Sequence, residues 1–257
     1  MTHSVVTVDH LKQHVIPDLF AYPARLGEYG SVEDSSAKID QLSNLMEGGS
    51  AGALAAKIAE ILYKMADASP EQITRKPTWI EKVLGGAVEK QVRYQVARST
   101  LEQMLSDAEG HAQGVRDTVS AITTMIIAHT EEAEALRVFI RAGREFLEEN
   151  PQVGVVAEGE MEFDRPRERL ARKLANLATL LASHELSVSQ MKLSRAQALD
   201  MLDRFRETVT VLVPVWRQHT LTLITTKNMS PDMVKKASEA HQALMASLAE
   251  SLNGVKH

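Results

Sequence analysis

Residues 101–147 read LEQMLSDAEGHAQGVRDTVSAITTMIIAHTEEAEALRVFIRAGREFL, and their apolar positions step 4, 3, 4, 3 without a break: Leu101, Leu105, Ala108, Ala112, Val115, Val119, Ile122, Ile126, His129, Ala133, Leu136, Ile140, Gly143, Leu147. Twelve of these fourteen positions are apolar, which is the narrow seam of a coiled coil and not the broader stripe of a globular helix. A second run follows with the same steps: Leu170, Leu174, Leu177, Leu181, His184, Val188, Met191, Arg195, Ala198, Leu202, Phe205, Val209, Leu212, Trp216, His219, Leu223, apolar at thirteen of sixteen. Asn150-Pro151-Gln152-Val153-Gly154 stops the first helix. Neither helix can bury its stripe alone, so the two are expected to fold back as an antiparallel hairpin. A first helix from Ala87 to Asn150 would be about 95 Å long at about 1.5 Å per residue.

Working outward, the composition fits. The 257 residues are 44% hydrophobic but only 4% aromatic, with 13 Gly and 8 Pro, so the apolar content is Leu, Ile, Val, Met and Ala. Such a composition forms helices. The fold class expected is all-α, an elongated antiparallel helical hairpin or coiled coil with shorter helices packed as a bundle. Residues 1–49, punctuated by Pro17, Pro23, Gly27, Gly30 and Gly48-Gly49, read as an irregular N-terminal region of short elements or a mobile arm.

A helical bundle domain is expected over 50–257. It opens with an amphipathic helix from Ser50 to Ala68, and Ser69-Pro70-Glu71 offers a fresh start. Thr78-Trp79-Ile80-Glu81 has the form of a capping box. The long helices span about 87–149 and 167–227, and Ser230 and Pro231 are the N-cap and first helical position of a last helix over 230–252. Glu158, Glu160, Glu162 and Asp164 read as a solvated loop. The Ser50–Ala68 and 230–252 helices are the candidate covers for the seam, giving a four-helix bundle at one end of the hairpin and a bare, polar tip at the other.

In an antiparallel pair the residue numbers at one level add to a constant, and a loop centred near 156–157 makes it about 313. His129 then faces His184, and His219 approaches Tyr94. His129, His184, Arg195 and His219 are the strongly polar seam residues, a type that fixes register. A metal or acid–base reading is weaker, because no pair of carboxylates is evident on the same face. His10 and His14 also have metal-ligand spacing but lack a third ligand. No metal or cofactor is expected.

Several functions are excluded. With no cysteine, the chain offers no thiolate nucleophile, redox pair or cysteine-held metal. A net charge of -5 argues against nucleic acid as partner. The longest uncharged stretch, Thr118 to Thr130, is 13 residues, short of a membrane span, and Met1-Thr2-His3-Ser4 does not open a signal peptide. The expectation is a cytoplasmic protein, peripheral to the inner membrane at most. Arg75, Lys76 and Trp79 form a small basic-aromatic cluster suited to core packing or to anionic headgroups. Pro214, taken to lie on the seam side, should kink the helix, either to let the bundle close around Trp216 or to create a docking point with Arg217.

The stretch from Leu177 to Ile224 runs through His184-Glu185-Leu186, Gln190-Met191 and Leu199-Asp200-Met201-Leu202, and ends in Thr210-Val211-Leu212-Val213-Pro214-Val215-Trp216-Arg217-Gln218. It resembles the toxic-anion-resistance, TelA-like family, whose helical C-terminal part carries a comparable Ile/Val-Pro-Leu/Val-Trp-Lys/Arg signature in mid-helix. Members also tend to have a Lys-Pro and an aromatic before the long helices, as Lys76-Pro77 and Trp79 stand here. The resemblance implies a plasmid-encoded stress-response protein. Its role would be tellurite resistance, with a link to phage and colicin resistance, exerted through proteins of the same operon at the cell envelope. Lys76, Pro77, Trp79, Pro214, Trp216 and Arg217 are then the interaction candidates. The family has no established catalytic residues, so the reading is non-enzymatic. The alternatives are a membrane-active helical protein, toxic to the host when overproduced, and an enzyme using a histidine site in the bundle.

Overall fold

The computed structural model describes residues 7–31, 49–69, 72–73, 90–155, 165–225 and 230–252. Arg75, Lys76, Pro77, Trp79, the Thr78–Glu81 capping box and the acids from Glu158 to Asp164 lie outside the described residues. The protein is all-α. Its helices are α1 (Val8–His10), α2 (Ile16–Ala21), α3 (Ser50–Asp67), α4 (Lys90–Glu149), α5 (Pro166–Glu207), α6 (Val213–Thr225) and α7 (Pro231–Leu252), with π turns at Leu11–Val15 and Thr208–Leu212 and a 3-10 stretch at Pro23–Glu28. Among the described residues no helix is long and apolar enough to cross a membrane.

Local chemistry sets the helix ends. Gly49, in the left-handed conformation at φ 62°, leads into α3. At the C-terminal end of α4, the Arg167 guanidinium donates to the carbonyls of Leu147 and Asn150, both at 2.8 Å. These last-turn carbonyls have no partner within the helix, and a cation there also complements the helix dipole. Ser230 caps α7 through its hydroxyl, which accepts from the Met233 amide at 3.3 Å.

The chain divides into two compact units. Unit 1 takes its described residues from Met1–Ser43 and Ser120–Arg195, and unit 2 from Asn44–Val119 and Ala196–His257. In unit 1, α4 and α5 run antiparallel, with Gly143 against Leu174, Arg137 bonded to Glu185 at 2.6 Å and His129 against His184. Gly143, a seam position without a side chain, lets α5 come close: a Cβ there would stand 2.5 Å from a Leu174 methyl carbon.

The hairpin surface in unit 1 is not bare. Leu11, Ile16, Leu19, Leu26 and Tyr29 bury themselves against Leu136, Ile140, Phe146, Leu170, Leu174 and Leu177. Residues 7–31 are thus short packed elements and not a mobile arm. The packing has a simple cause: a two-helix seam leaves apolar flanks that only a third layer can cover. The Tyr29 hydroxyl donates to the Phe139 carbonyl at 2.7 Å, and burial pushes its pKa up. Lys12 sits over this segment, paired with Glu145 at 3.1 Å and with Glu149.

Unit 2 is a four-helix arrangement. Leu54, Ile58, Ile61 and Met65 of α3 and Met245 of α7 share one core with Tyr94, Ala97, Leu101 and Val115 of α4 and with Phe205, Leu212, Val213 and Trp216. Its centre is Trp216, with no exposed surface. The indole stacks on Tyr94 at 5.8 Å between ring centroids, and its Nε1 donates to the Ala68 carbonyl at 3.0 Å. Ala68 is the residue just past α3, so the tryptophan satisfies an acceptor that the helix end leaves open.

The heptad holds along the first run, where all fourteen positions are buried or half-buried, but it slips in the second. Thr208 is fully buried while Val209 is 36% exposed. The π turn at Thr208–Leu212 holds an extra residue in its ring and moves the buried face to Thr208, Leu212, Trp216 and Thr220. Pro214 is exposed, contrary to its expected place on the seam side. It stands two residues from both Leu212 and Trp216, about 200° around an α-helix from each, and so faces outward. The wide turn also accommodates a proline, which has no amide to give and whose ring crowds the preceding turn. The helix is interrupted by a π turn and continues as α6.

Candidate functional site

His129 sits at a d position of the α4 seam and His184 at the facing position of α5, 7% and 9% exposed. Their Nδ1 atoms are 2.7 Å apart and their ring centroids 4.9 Å apart. At that distance one ring donates and the other accepts, so the neutral pair shares a proton. Ile122, Met125, Ile126 and Met191 form the apolar seam beside them.

A carboxylate completes the cluster. Glu132 Oε2 lies 3.4 Å from His184 Nδ1 and 3.8 Å from His129 Nδ1. The sequence alone does not single this residue out, because it is one acid beside the seam and not a pair of carboxylates on the same face. It occupies the flanking g position three residues after His129, from which a glutamate spans the seam. The usable signal is His-x-x-Glu across the edge of an apolar stripe. Among the described residues, His129, Glu132 and His184 are the set of three whose possible ligand atoms all fall within 4.8 Å of one another.

The other polar seam residues stand apart from this cluster. Arg195 is half-buried and lies eleven residues beyond His184 on α5, about 16 Å along the helix axis. His219, in unit 2, is half-buried. Its ring meets that of His241 at 6.1 Å, and Trp216, not His219, stacks on Tyr94. The π turn explains both shifts: it rotates His219 toward the rim and Thr220 inward. His10 and His14 are exposed, with ring centroids 5.3 Å apart. Arg217 extends from the Trp216 motif to Glu102 at 3.0 Å, which Arg98 also holds at 2.8 Å. The Arg98 hydrogen bond, assisted by the charges of Arg98 and Arg217, keeps the Glu102 carboxyl below its ordinary range.

His241 is a buried polar residue that the heptads do not reveal, because it lies on α7, outside both heptad runs. It has no exposed surface, and neither ring nitrogen makes a hydrogen bond of good geometry. Burial lowers its pKa from the ordinary 6.5; the nearby Met65 backbone opposes the shift, and His219 adds to it. The unfolded chain therefore takes up a proton near pH 6.5 while the folded chain resists it to lower pH. Stability is complete above that pH and falls as pH drops through it. In thermal melts from about pH 7.5 to about pH 5.5, wild type should lose stability more steeply than His241→Leu. Parallel curves would contradict this assignment.

Comparison with known proteins adds one relationship. No protein-family model matches the sequence, and no solved structure matches it. The chain is 61% identical over 255 residues to a protein of Escherichia coli named Protein KlaA, covering 99% of each. Heptad repeats alone produce chance likeness between unrelated coiled coils, but not identity at this level along both chains from end to end, and the chain belongs to the KlaA family.

Proposed function

We propose that this chain is a non-enzymatic helical protein that contributes to resistance against tellurite and related toxic anions, acting with proteins of its own operon at the inner face of the cell envelope. The reading is carried by the Val213-Pro214-Val215-Trp216-Arg217 signature, similar to that of the TelA-like family, in a chain related to KlaA along its whole length. The arrangement of that signature supports an architectural role. Trp216 is committed to the core and Arg217 to an ion pair with Glu102, which leaves Pro214 as the exposed element of the motif. Since the chain has no cysteine, it brings no thiol to reduce tellurite, and protection is assigned to its partners. A link to phage and colicin resistance belongs to the same reading.

The test is the tellurite tolerance of cells carrying the complete operon with this gene deleted. A several-fold drop in the tolerated concentration is expected, restored by a wild-type copy and accompanied by capture of operon-encoded proteins on the tagged chain. Unchanged tolerance would reject the reading. Membrane insertion is the competing one, suggested by the uncharged run Thr118 to Thr130. The run places Ile122, Met125 and Ile126 in the core of unit 1, where they are unavailable to lipid without unpacking. Leakage of liposomes on addition of the purified protein would favour insertion instead.

A further inference from the structure

The His129–Glu132–His184 cluster has more polar groups than register needs. One polar contact is enough to align two helices, yet here a third donor from the flank of α4 reaches the same point. We propose that this is a mononuclear site for a borderline divalent cation, Zn²⁺, held by Nδ1 of His129, Nδ1 of His184 and Oε2 of Glu132.

The geometry is close to what such an ion requires. Zinc bonds of about 2.0–2.2 Å in a tetrahedron place neighbouring ligand atoms about 3.3–3.6 Å apart. The His184–Glu132 edge is already 3.4 Å and the His129–Glu132 edge 3.8 Å. The remaining edge, 2.7 Å between the two imidazoles, has to open by about 0.6 Å, a small rotation of two rings. What lies between the nitrogens in the metal-free cluster is a proton. Binding moves it to the far Nε2 of the ring that carries it, a tautomer change that leaves both Nδ1 lone pairs facing the ion.

The scaffold suits the ligands. His129 and Glu132 are an i, i+3 pair, the spacing with which helical bundles aim a histidine and a carboxylate inward at a metal. The third ligand comes from the antiparallel partner at the same level. Near the rings, the Arg137–Glu185 bond at 2.6 Å clamps α4 to α5, and Met191 and Ile126 close the apolar side, limiting loss of the ion to bulk water. Two imidazoles and one carboxylate favour zinc, and neighbours such as cobalt and nickel, over magnesium or calcium, which prefer oxygen ligands. Three protein ligands leave a fourth position for water or an anion.

Full-length protein stripped with a chelator and titrated with Zn²⁺ against a chromogenic competitor should take up one equivalent. Leucine fits an apolar seam, so His129→Leu and His184→Leu should fold and weaken that equivalent by at least about 100-fold, and Glu132→Gln by about 10- to 100-fold. The His10→Ala, His14→Ala double variant should bind as wild type does. Co²⁺ should give the intense visible absorption of a tetrahedral site, Zn²⁺ should raise the unfolding midpoint of wild type but not of the His129→Leu, His184→Leu double variant, and Mg²⁺ should do neither. Failure of wild type to bind, an equivalent that survives the double seam variant, or one lost with His10 and His14 would each overturn the proposal. Should the leucine variants fail to fold by circular dichroism, Glu132→Gln and the wild-type Co²⁺ spectrum decide, a weak octahedral spectrum counting against the site.

Discussion

Replacing Trp216 with alanine should cost about 3–5 kcal/mol of stability, the range for removing a fully buried large aromatic and leaving a cavity. The residue has no exposed surface and lies among side chains of α3, α4 and α7. Its removal takes away the stacking on Tyr94 and the hydrogen bond to the Ala68 carbonyl. Trp216→Phe separates these effects. It keeps an aromatic face for Tyr94 and forfeits the hydrogen bond and part of the volume, for an expected loss of about 1–2 kcal/mol. Denaturant unfolding followed by circular dichroism measures both. Equal losses in the two variants would mean that the hydrogen bond matters more than the ring, and a loss below about 1 kcal/mol in the alanine variant would contradict the burial of Trp216.

The second large effect belongs to the N-terminal layer of unit 1. Ile16 is completely buried in the core that also holds Leu136, Ile140, Phe146, Leu170 and Leu174. Ile16→Ala should therefore cost about 2–5 kcal/mol and Ile16→Val about 0.5–1.5 kcal/mol. Ile127 is the control, since it is 55% exposed and its alanine variant should stay within about 0.5 kcal/mol of wild type. Hydrogen exchange should report the loss first at amides of residues 11–29 and 136–146. If residues 7–31 are a detached arm, Ile16→Ala will unfold as wild type does.

Much of the candidate site was legible because its two histidines belong to a repeat. The heptad places His129 and His184 on their seams, and antiparallel level counting from the loop centre puts them face to face, as their 2.7 Å separation shows. Glu132 was overlooked because a flanking position is indistinguishable from solvent-facing ones in a one-dimensional pattern. Whether a glutamate there turns inward or outward depends on what the partner helix presents. Thr208 and Thr220 were missed for a related reason. Each is buried through a phase change that a single π turn introduces, and no periodicity carried past that turn could have placed them.

By itself the sequence determined the long helices, their pairing and, as far as the π turn at Thr208–Leu212, their register. These depend on local propensity and on a 3.5-residue repeat, both written along the chain, and the pairing follows because neither stripe can be buried alone. It determined some helix ends as well, since Ser230 acts on an amide three residues away. Only the tertiary structure decided what covers the seams. That residues 7–31 pack on α4 and α5, that the Trp216 indole meets the end of α3, and that Glu132 reaches His184 are contacts between distant segments or adjacent helices. Their free energy comes from apolar surface and hydrogen-bond acceptors that exist as a site only after the helices have packed, and so no stretch of sequence read alone contains them.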